Sequence, residues 1–168
     1  MVQLRDDVDI HPVTWADVHR DTKHLVRKLM PMQPKDGEWA GIVALTRGGL
    51  VPAAIVAREM EIRVVDTLCI TSYDEQVQGQ LSVLKIPERA EAVKGAGWLL
   101  LDDLVDTGAT ARAARDILPE AHFATVYAKP QGIDVVDTFV HEVAQDVWVF
   151  FPWDMEPQYV RPLVDTGA

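Results

Sequence analysis

Short runs of apolar or β-branched residues alternate along the chain with segments whose apolar residues recur at helical spacing. The runs that predict strands are Gly41–Leu45, Arg63–Ser72, Gly97–Leu101 and His122–Ala128. Unbroken runs of this kind are typical of strands that are covered on both faces. The intervening segments predict helices after Thr14, after Gly49 and from Thr110. This alternation predicts an α/β fold with a mainly parallel sheet flanked by helices.

Capping and proline signals mark the ends of the predicted helices. Thr14 and Asp17 have the spacing of a capping box, in which a hydroxyl and a carboxylate bond the free N–H groups of the first turn. Pro31 ends the apolar periodicity that follows, and Pro119 ends the third helix. Pro52 lies near the first turn of the second helix, where its missing N–H costs little.

Three segments depart from the alternation. Tyr73–Gln80 is almost wholly polar and is expected to form a mobile loop, and Pro87–Gly97 is a second connection of mixed charge. Loops of this length in a compact domain are often lids or binding loops. After Gly132 the pattern loosens, which suggests an appended flap. We therefore expect a single domain over residues 1–168, with residues 131–168 contributing a small C-terminal hood over the site.

Composition narrows the class of protein. The 168 residues carry 16 Lys and Arg against 26 Asp and Glu, a net charge of −10 without any basic run, which argues against a nucleic-acid partner. Cys69 is the only cysteine, so an intrachain disulfide is excluded, and its apolar surroundings predict a buried thiol. The N-terminus has no apolar core, and the longest apolar stretch, Leu50–Ala57, is too short to span a bilayer. We expect a soluble, cytoplasmic protein.

The segment Leu99–Thr110, LLLDDLVDTGAT, carries the most chemistry. An apolar strand leads into Asp102, Asp103 and Asp106, and then into a turn with two hydroxyls that opens a helix. Ligands of open α/β sheets bind beyond the carboxyl ends of the strands, and helix N-termini bind anions. Carboxylates beside such an anion site suit sugar hydroxyls and Mg²⁺. A phosphorylated ribose with Mg²⁺ satisfies all of these groups.

This motif resembles the phosphoribosyl-pyrophosphate signature of the type I phosphoribosyltransferases. Four further segments resemble the bacterial xanthine–guanine branch of that family, in the same order, from about Val13 to Met155: Thr46–Pro52, Val65–Asp74, Ala128–Pro130, and Gln145–Trp148 with Pro152–Met155. The resemblance implies the type I phosphoribosyltransferase fold. It also implies a Mg²⁺-dependent enzyme of purine salvage that makes GMP or XMP from guanine or xanthine, uses hypoxanthine more weakly and refuses adenine.

The resemblance also implies a role for individual residues. Those expected to bind phosphoribosyl pyrophosphate are Arg47, Gly48, Asp102, Asp103, Leu104, Val105, Asp106, Thr107, Gly108, Ala109 and Thr110. Arg47 and Gly48 would contact the pyrophosphate, after a peptide bond from Thr46 that is a candidate for the cis form. Asp102 and Asp103 would take the ribose hydroxyls, with Asp103 also on the metal side.

The purine is expected to lie against Asp106, Lys129, Trp148 and Val149. Asp106 stands where the family places the acidic residue beside the purine imidazole nitrogen, as a general base. Lys129 would donate to the 6-oxygen, Trp148 would stack on the base, and the backbone of Val149 would read the 2-position. The resemblance further implies a homotetramer and at most a peripheral contact with the inner membrane.

Two positions depart from the family pattern. Ala109 replaces the usual second glycine, so the backbone there must not need a positive φ. Gly79 stands where relatives carry an arginine that reaches the pyrophosphate. Either Lys85 replaces that arginine or loop closure relies on backbone contacts.

Three other protein classes share part of the pattern. A phospho-receiver domain needs its acidic pair near the start of the chain, and a haloacid-dehalogenase-like phosphatase needs Asp-x-Asp, so spacing argues against both. A regulator that uses the same fold as a nucleotide sensor needs a nucleic-acid surface, against which the net charge argues.

Overall fold

The computed structural model describes residues 9–34, 37–72 and 81–154. In chain order its strands and helices are β1 (Ile10–Pro12), α1 (Trp15–Leu29), β2 (Gly41–Thr46), α2 (Leu50–Glu59), β3 (Val65–Ser72), β4 (Leu81–Lys85), α3 (Glu88–Glu91), β5 (Trp98–Val105), α4 (Ala109–Ile117), β6 (His122–Ala128), β7 (Thr138–Glu142) and β8 (Trp148–Phe150). Two 3-10 turns follow α1 and β6, at Met30–Met32 and Ile133–Val135. No helix within these ranges is long and apolar enough to span a membrane.

A six-stranded sheet in the order β4-β3-β2-β5-β6-β7 forms the centre of the fold. All its pairings are parallel except that of β4, which runs antiparallel to β3 at one edge. The parallel strands end at the same edge of the sheet, so the loops that follow β2, β5 and β6 lie side by side. The predicted α/β class with a mainly parallel sheet is confirmed.

Apolar side chains of the central strands point into two separate cores. On β5, Leu99 and Leu101 pack with the apolar faces of α1 and α2, whereas Leu100 packs with α4 on the opposite face. All three leucines are fully buried. Because both faces are covered, no polar alternation is needed, and this explains the unbroken apolar run in the sequence.

The strand β5 is longer than the apolar run that predicts it. It continues through Asp102 and Asp103 to Val105, because Leu104 and Val105 pair with Tyr127 and Ala128 of β6. The two carboxylates therefore project from a hydrogen-bonded strand and not from a loop. Backbone pairing on a neighbouring strand holds their positions more rigidly than a loop would.

Residues 131–154 do not form one separate unit. The strand β7 joins the main sheet beside β6, and β8 pairs with β1 in a small two-stranded parallel sheet. The N-terminal and C-terminal parts of the chain thus meet at β1 and β8. The predicted hood over residues 131–168 stays a prediction, and residues 155–168 lie outside the described ranges.

The capping box is formed at the start of α1. The Asp17 N–H donates to Thr14 Oγ1 at 3.2 Å, and the Thr14 N–H donates to Asp17 Oδ2 at 3.0 Å. These hydrogen bonds, with the Thr14 hydroxyl first, hold the pKa of Asp17 at about 2. At its other end the chain passes Pro31 through the 3-10 turn, so the helical path continues for one turn beyond α1.

A buried hydrogen bond links α1 to β6. The Tyr127 hydroxyl donates to Asp21 Oδ2 at 2.7 Å, and only 2% of each residue is exposed. Arg20 donates to the same carboxylate at 2.9 Å, and His141 Nε2 lies 3.2 Å from it. Burial raises the pKa of Asp21, but the hydrogen bonds from Tyr127 and Arg20, together with the nearby His141 ring, outweigh it and leave the pKa below its usual value.

We expect Tyr127→Phe to lower the free energy of unfolding by about 1.5–3 kcal/mol at pH 7, because the ring is kept while a buried bond to a charged group is lost. The folded-state pKa of Asp21 is lowered, so its stabilisation is present above about pH 4 and is lost as the pH falls further. Urea unfolding at pH 7 and pH 3 measures both effects. A deficit below about 0.5 kcal/mol at pH 7 would show that the bond contributes little.

Candidate functional site

The residues predicted to bind phosphoribosyl pyrophosphate lie around one cleft of about 950 Å³ at the carboxyl edge of the sheet. All of them line it: Arg47, Gly48, Asp102, Asp103, Leu104, Val105, Asp106, Thr107, Gly108, Ala109 and Thr110. Their side chains come from the loop after β2 and from the segment that joins β5 to α4. The cleft also has Cys69 of β3 in its lining, and this thiol is partly exposed and not buried as the sequence predicts.

Two glycines bring the loop after β2 against β5. The Thr46–Arg47 peptide is cis, as expected, and the loop turns at once into α2. A Cβ on Gly48 would overlap the Asp103 carboxylate, and one on Gly49 would overlap the Leu101 carbonyl oxygen. Any side chain at either position would push the loop away from the acidic pair. The backbone of the Arg47–Gly49 loop therefore faces the carboxylates directly.

The carboxyl groups of Asp102 and Asp103 both have raised pKa values. Burial, and then the neighbouring Asp103 charge, raises the pKa of Asp102 well above its usual value. Burial also raises the pKa of Asp103 to about 6, against the opposing effect of hydrogen bonds from Asp102 and the Leu104 N–H. The Asp103 N–H donates to Asp102 Oδ1 at 2.9 Å, which orients the first carboxylate. A cation bound beside these two buried carboxylates would therefore stabilise their charged forms.

The cleft contains little positive charge of its own. Arg47 is the one basic side chain among the described residues that line it, against the carboxylates of Asp102, Asp103, Asp106 and Asp154. Within the described ranges no three His, Cys, Asp or Glu side chains are grouped closely enough to hold a metal ion by themselves. Two adjacent carboxylates do suit Mg²⁺, which usually takes one or two protein carboxylates and fills its shell with water and substrate phosphates.

The turn between β5 and α4 forms a helix N-terminus, where the Ala109 N–H donates to Thr107 Oγ1 at 3.5 Å. Gly108 has φ of +82°, a conformation that glycine adopts at no steric cost, and it is buried between the turn and Arg112. Ala109 is the first residue of α4 and has a negative φ, so the departure from the family glycine is accommodated. The arrangement is that of a phosphate-binding helix start.

Arg112 braces this turn from outside the cleft. Its Nη1 donates to the Thr107 carbonyl at 2.9 Å, and its Nη2 reaches the Gln131 carbonyl and Asp134, each at 3.3 Å. The guanidinium joins α4 to the segment after β6. The contacts with Gln131 and Asp134 could not be predicted from the sequence, because they join residues 19 and 22 positions apart.

Asp106 and Lys129, both predicted to contact the purine, lie next to each other in the structure. Lys129 Nζ lies 3.2 Å from Asp106 Oδ2, and the lysine is only 4% exposed. Gln145, which the sequence analysis did not select as a site residue, donates from Nε2 to Asp106 Oδ1 at 2.7 Å. The signal for Gln145 was its place in the segment before Trp148, but no spacing rule predicts which carboxylate it contacts.

Trp148 and Val149 lie on β8, outside the lining of the cleft itself. Trp148 is half exposed, so one face of its ring is available for stacking, whereas Val149 is buried and pairs with His11 of β1. Just beyond β8, Trp153 and Asp154 do line the cleft, with Trp153 stacked on Phe151 at 4.7 Å between ring centroids. Both residues belong to the Pro152–Met155 segment that carries part of the family resemblance, but neither was predicted to have an individual role.

Lys85 is engaged away from the cleft. Its Nζ contacts the Asp66 carboxylate and donates to the Thr67 carbonyl at 2.9 Å. Burial raises the pKa of Asp66, yet the bonds from Lys85 and the Thr67 N–H leave it below its usual value. The suggestion that Lys85 replaces the missing loop arginine has no support in this arrangement. Gly79 and the rest of the predicted Tyr73–Gln80 loop lie outside the described residues.

Replacing the charged Asp103 side chain by a neutral one is expected to change the free energy of unfolding. The pKa of Asp103 is higher in the folded protein than its usual 3.8, so folding becomes less favourable as the pH rises from about 4 to about 6. We expect Asp103→Asn to be more stable than the parent by about 1–3 kcal/mol at pH 7.5, with the gain lost near pH 4. Urea unfolding at both pH values measures this, and a less stable variant at pH 7.5 would contradict it.

Comparison with known proteins agrees with the motif resemblance. The phosphoribosyl transferase domain model matches residues 14–160. The xanthine-guanine phosphoribosyltransferase of Nitratidesulfovibrio vulgaris (strain DP4) is 56% identical over 156 residues, which are 93% of this chain and 91% of that protein. The enzyme of the same name from Chromohalobacter salexigens is 56% identical over 153 residues, 91% of this chain and 89% of that protein.

Solved structures support the fold at much lower identity. A purine phosphoribosyltransferase from Pyrococcus horikoshii superposes with a TM-score of 0.69 at 21% identity, over 90% of this chain and 99% of that one. A Helicobacter pylori xanthine-guanine-hypoxanthine phosphoribosyltransferase gives 0.70 at 22% identity, over 86% and 95%. The expected type I phosphoribosyltransferase fold is confirmed. From its sequence match and its fold together, this chain belongs to the phosphoribosyltransferase family.

Proposed function

We propose that this chain is a Mg²⁺-dependent purine salvage enzyme. It transfers the 5-phosphoribosyl group from 5-phospho-α-D-ribose 1-diphosphate to guanine or xanthine, and more weakly to hypoxanthine, and releases pyrophosphate with GMP or XMP. The observation that carries the proposal is that Arg47–Gly48 and Asp102–Thr110 surround one cleft. Identity of 56% to two xanthine-guanine phosphoribosyltransferases supports the choice of purine.

The phosphoribosyl part of the substrate would occupy the length of the cleft. The 5′-phosphate would accept from the backbone N–H groups between Thr107 and Thr110 at the start of α4, with Arg112 fixing the turn behind it. The ribose hydroxyls would donate to Asp102 and Asp103. The pyrophosphate would lie at the other end, against the Arg47 guanidinium and the Gly48 backbone.

The Asp103 carboxylate would hold Mg²⁺ together with oxygens of the substrate, while Asp102 beside it would take the ribose hydroxyls. Bound Mg²⁺ would supply positive charge that, among the described lining residues, only Arg47 otherwise provides. The raised pKa of Asp103, about 6, fits this role because burial disfavours the charged carboxylate and a bound cation would offset that cost.

Transfer breaks the bond from the ribose anomeric carbon to pyrophosphate and forms one to a purine nitrogen. Positive charge develops on the sugar and negative charge on the leaving group, which Arg47 stabilises. Asp106 would take the proton from the purine imidazole nitrogen as general base. Its ion pair with Lys129, at 3.2 Å, supports this role because it holds the carboxylate in the cleft lining.

Purine choice would depend on Lys129, which donates only. A 6-oxo group accepts its hydrogen bond, whereas the 6-amino group of adenine does not, and a buried donor left unpaired rejects the analogue by about 10⁴-fold or more. The lysine is 4% exposed, so water does not compensate well for the lost bond. Trp148 would stack on the base, and the backbone of Val149 would meet the 2-position.

Assembly and location are inferred from the family resemblance. A homotetramer, a cytoplasmic location and at most a peripheral contact with the inner membrane belong to this proposal, as does one domain over residues 1–168 with residues 131–168 forming a hood over the purine. The position of Trp153 and Asp154 in the cleft lining supports the hood.

A purine panel tests the proposed function. The wild-type chain with phosphoribosyl pyrophosphate and Mg²⁺ should convert guanine and xanthine fastest and hypoxanthine more slowly, with adenine at least about 10⁴-fold lower in kcat/KM. Product nucleotide is measured by chromatography, with a reaction lacking Mg²⁺ as control. Binding of phosphoribosyl pyrophosphate without turnover of any oxopurine would overturn the enzyme proposal and favour a nucleotide sensor.

Removal of the proposed base is the second test. We expect Asp106→Ala to lower kcat with guanine by about 10²–10⁴-fold, the usual contribution of general-base catalysis. Asp116→Ala, which removes the same charge from the exposed surface of α4, is the matched control and should keep wild-type kcat. A loss of only a few-fold in Asp106→Ala would remove Asp106 from this role.

A further inference from the structure

Gln145 makes three polar contacts around the purine end of the site. Its side-chain Nε2 donates to Asp106 Oδ1 at 2.7 Å, and its Oε1 accepts from the Gln131 N–H at 3.0 Å. Its backbone carbonyl accepts from Lys129 Nζ at 3.5 Å. One residue thus contacts both side chains that are proposed to recognise the base, and it precedes Trp148 by three positions.

The amide can take only one orientation. The Gln131 backbone N–H is a donor and must face the amide oxygen, so the NH₂ group faces Asp106. The reverse orientation would place the NH₂ group against an N–H and the amide oxygen against a carboxylate. Gln131 therefore fixes the Gln145 amide, and the Gln145 amide fixes one carboxylate oxygen of Asp106.

The two carboxylate oxygens of Asp106 thus have different partners. Oδ1 is held by Gln145, whereas Oδ2 is paired with Lys129 at 3.2 Å. Each carboxylate oxygen has a further lone pair, so the group still accepts a proton from a ligand in the cleft. The contacts with Gln145 and Lys129 together set the plane of the Asp106 carboxylate.

From this geometry we propose that Gln145 is a positioning residue for the purine half of the reaction. It orients the general base Asp106 and keeps Lys129 beside it, so that the proton acceptor and the 6-oxygen donor face the base in a set arrangement. This proposal rests on the proposed function. It predicts an effect on the purine that is separate from the phosphoribosyl group, because Gln145 is outside the lining of the cleft that Arg47 and Thr107–Thr110 form.

Two variants remove the donated hydrogen bond. Gln145→Glu keeps the shape and the acceptor for Gln131 but places a carboxylate oxygen against Asp106, so it removes the donated bond alone. Gln145→Met keeps the length but removes both the donor and the acceptor. Gln33→Glu, an identical change at an exposed position just after Met30–Met32, is the matched control.

Steady-state kinetics and thermal unfolding measure the effect. We expect both Gln145 variants to lose about 10–100-fold in kcat/KM for guanine, since misorientation of a catalytic group by about 1 Å costs up to 10². The KM for phosphoribosyl pyrophosphate should stay within about 2-fold and the Tm close to wild type. A parallel rise in both KM values with a lowered Tm, or wild-type purine kinetics in Gln145→Met, would overturn the proposal. Gln33→Glu should behave as wild type.

A spectroscopic measurement tests the contact without turnover. In ¹⁵N-labelled protein the Gln145 side-chain amide signals, identified by their loss in Gln145→Glu, should move in Asp106→Asn and stay in place in Asp116→Asn. Unmoved signals in Asp106→Asn would overturn the proposal. If the wild-type chain converts no oxopurine, the proposed function fails, and these spectra still decide whether Gln145 orients Asp106.

Discussion

The placement of β5 between β2 and β6 is the constraint on which the rest of the site depends. Three buried leucines, Leu99 to Leu101, hold β5 against helices on both faces, and its pairing with both neighbours sets the register. Because the three strands are parallel, the Arg47 loop, the acidic segment and Lys129 all emerge at the same edge. Burial of each leucine is worth about 1.5–3 kcal/mol, so slipping the register would cost more than any single polar contact in the site.

The site also requires the loop after β2 to lie very close to β5, and two glycines make this possible. The loop after β2 reaches β5 only because Gly48 and Gly49 lack side chains that would overlap Asp103 and the Leu101 carbonyl. The loop presents backbone N–H groups and one arginine to a strongly acidic cleft. A chain with a net charge of −10 can therefore hold a small phosphate ligand through oriented dipoles, one guanidinium and a bound cation. A long polyanion would gain nothing from this arrangement.

Much of the fold and of the phosphoribosyl half of the site follows from local sequence. The apolar runs around Leu45 and Leu100 predict the central strands, and Thr14 with Asp17 predicts the start of α1. The end of β5 was less predictable, because the carboxylates there belong to a strand only through pairing of Leu104 and Val105 with β6. The antiparallel edge strand β4 was not predicted, since its five residues alternate weakly and β3 supplies their pairing.

The sequence by itself determined the chemistry at the end of β5, where three carboxylates, two hydroxyls and a glycine turn lie in one continuous segment. Residues this near to each other in the chain are also near to each other in space. Only the tertiary structure decided which distant groups complete it. Gln145 bonds Asp106 across 39 positions and Arg112 reaches Gln131 across 19, while Lys85 turns to Asp66 and not to the cleft. Such contacts depend on strand order and loop path, because a polar side chain takes whichever partner the packed backbone brings within about 3 Å.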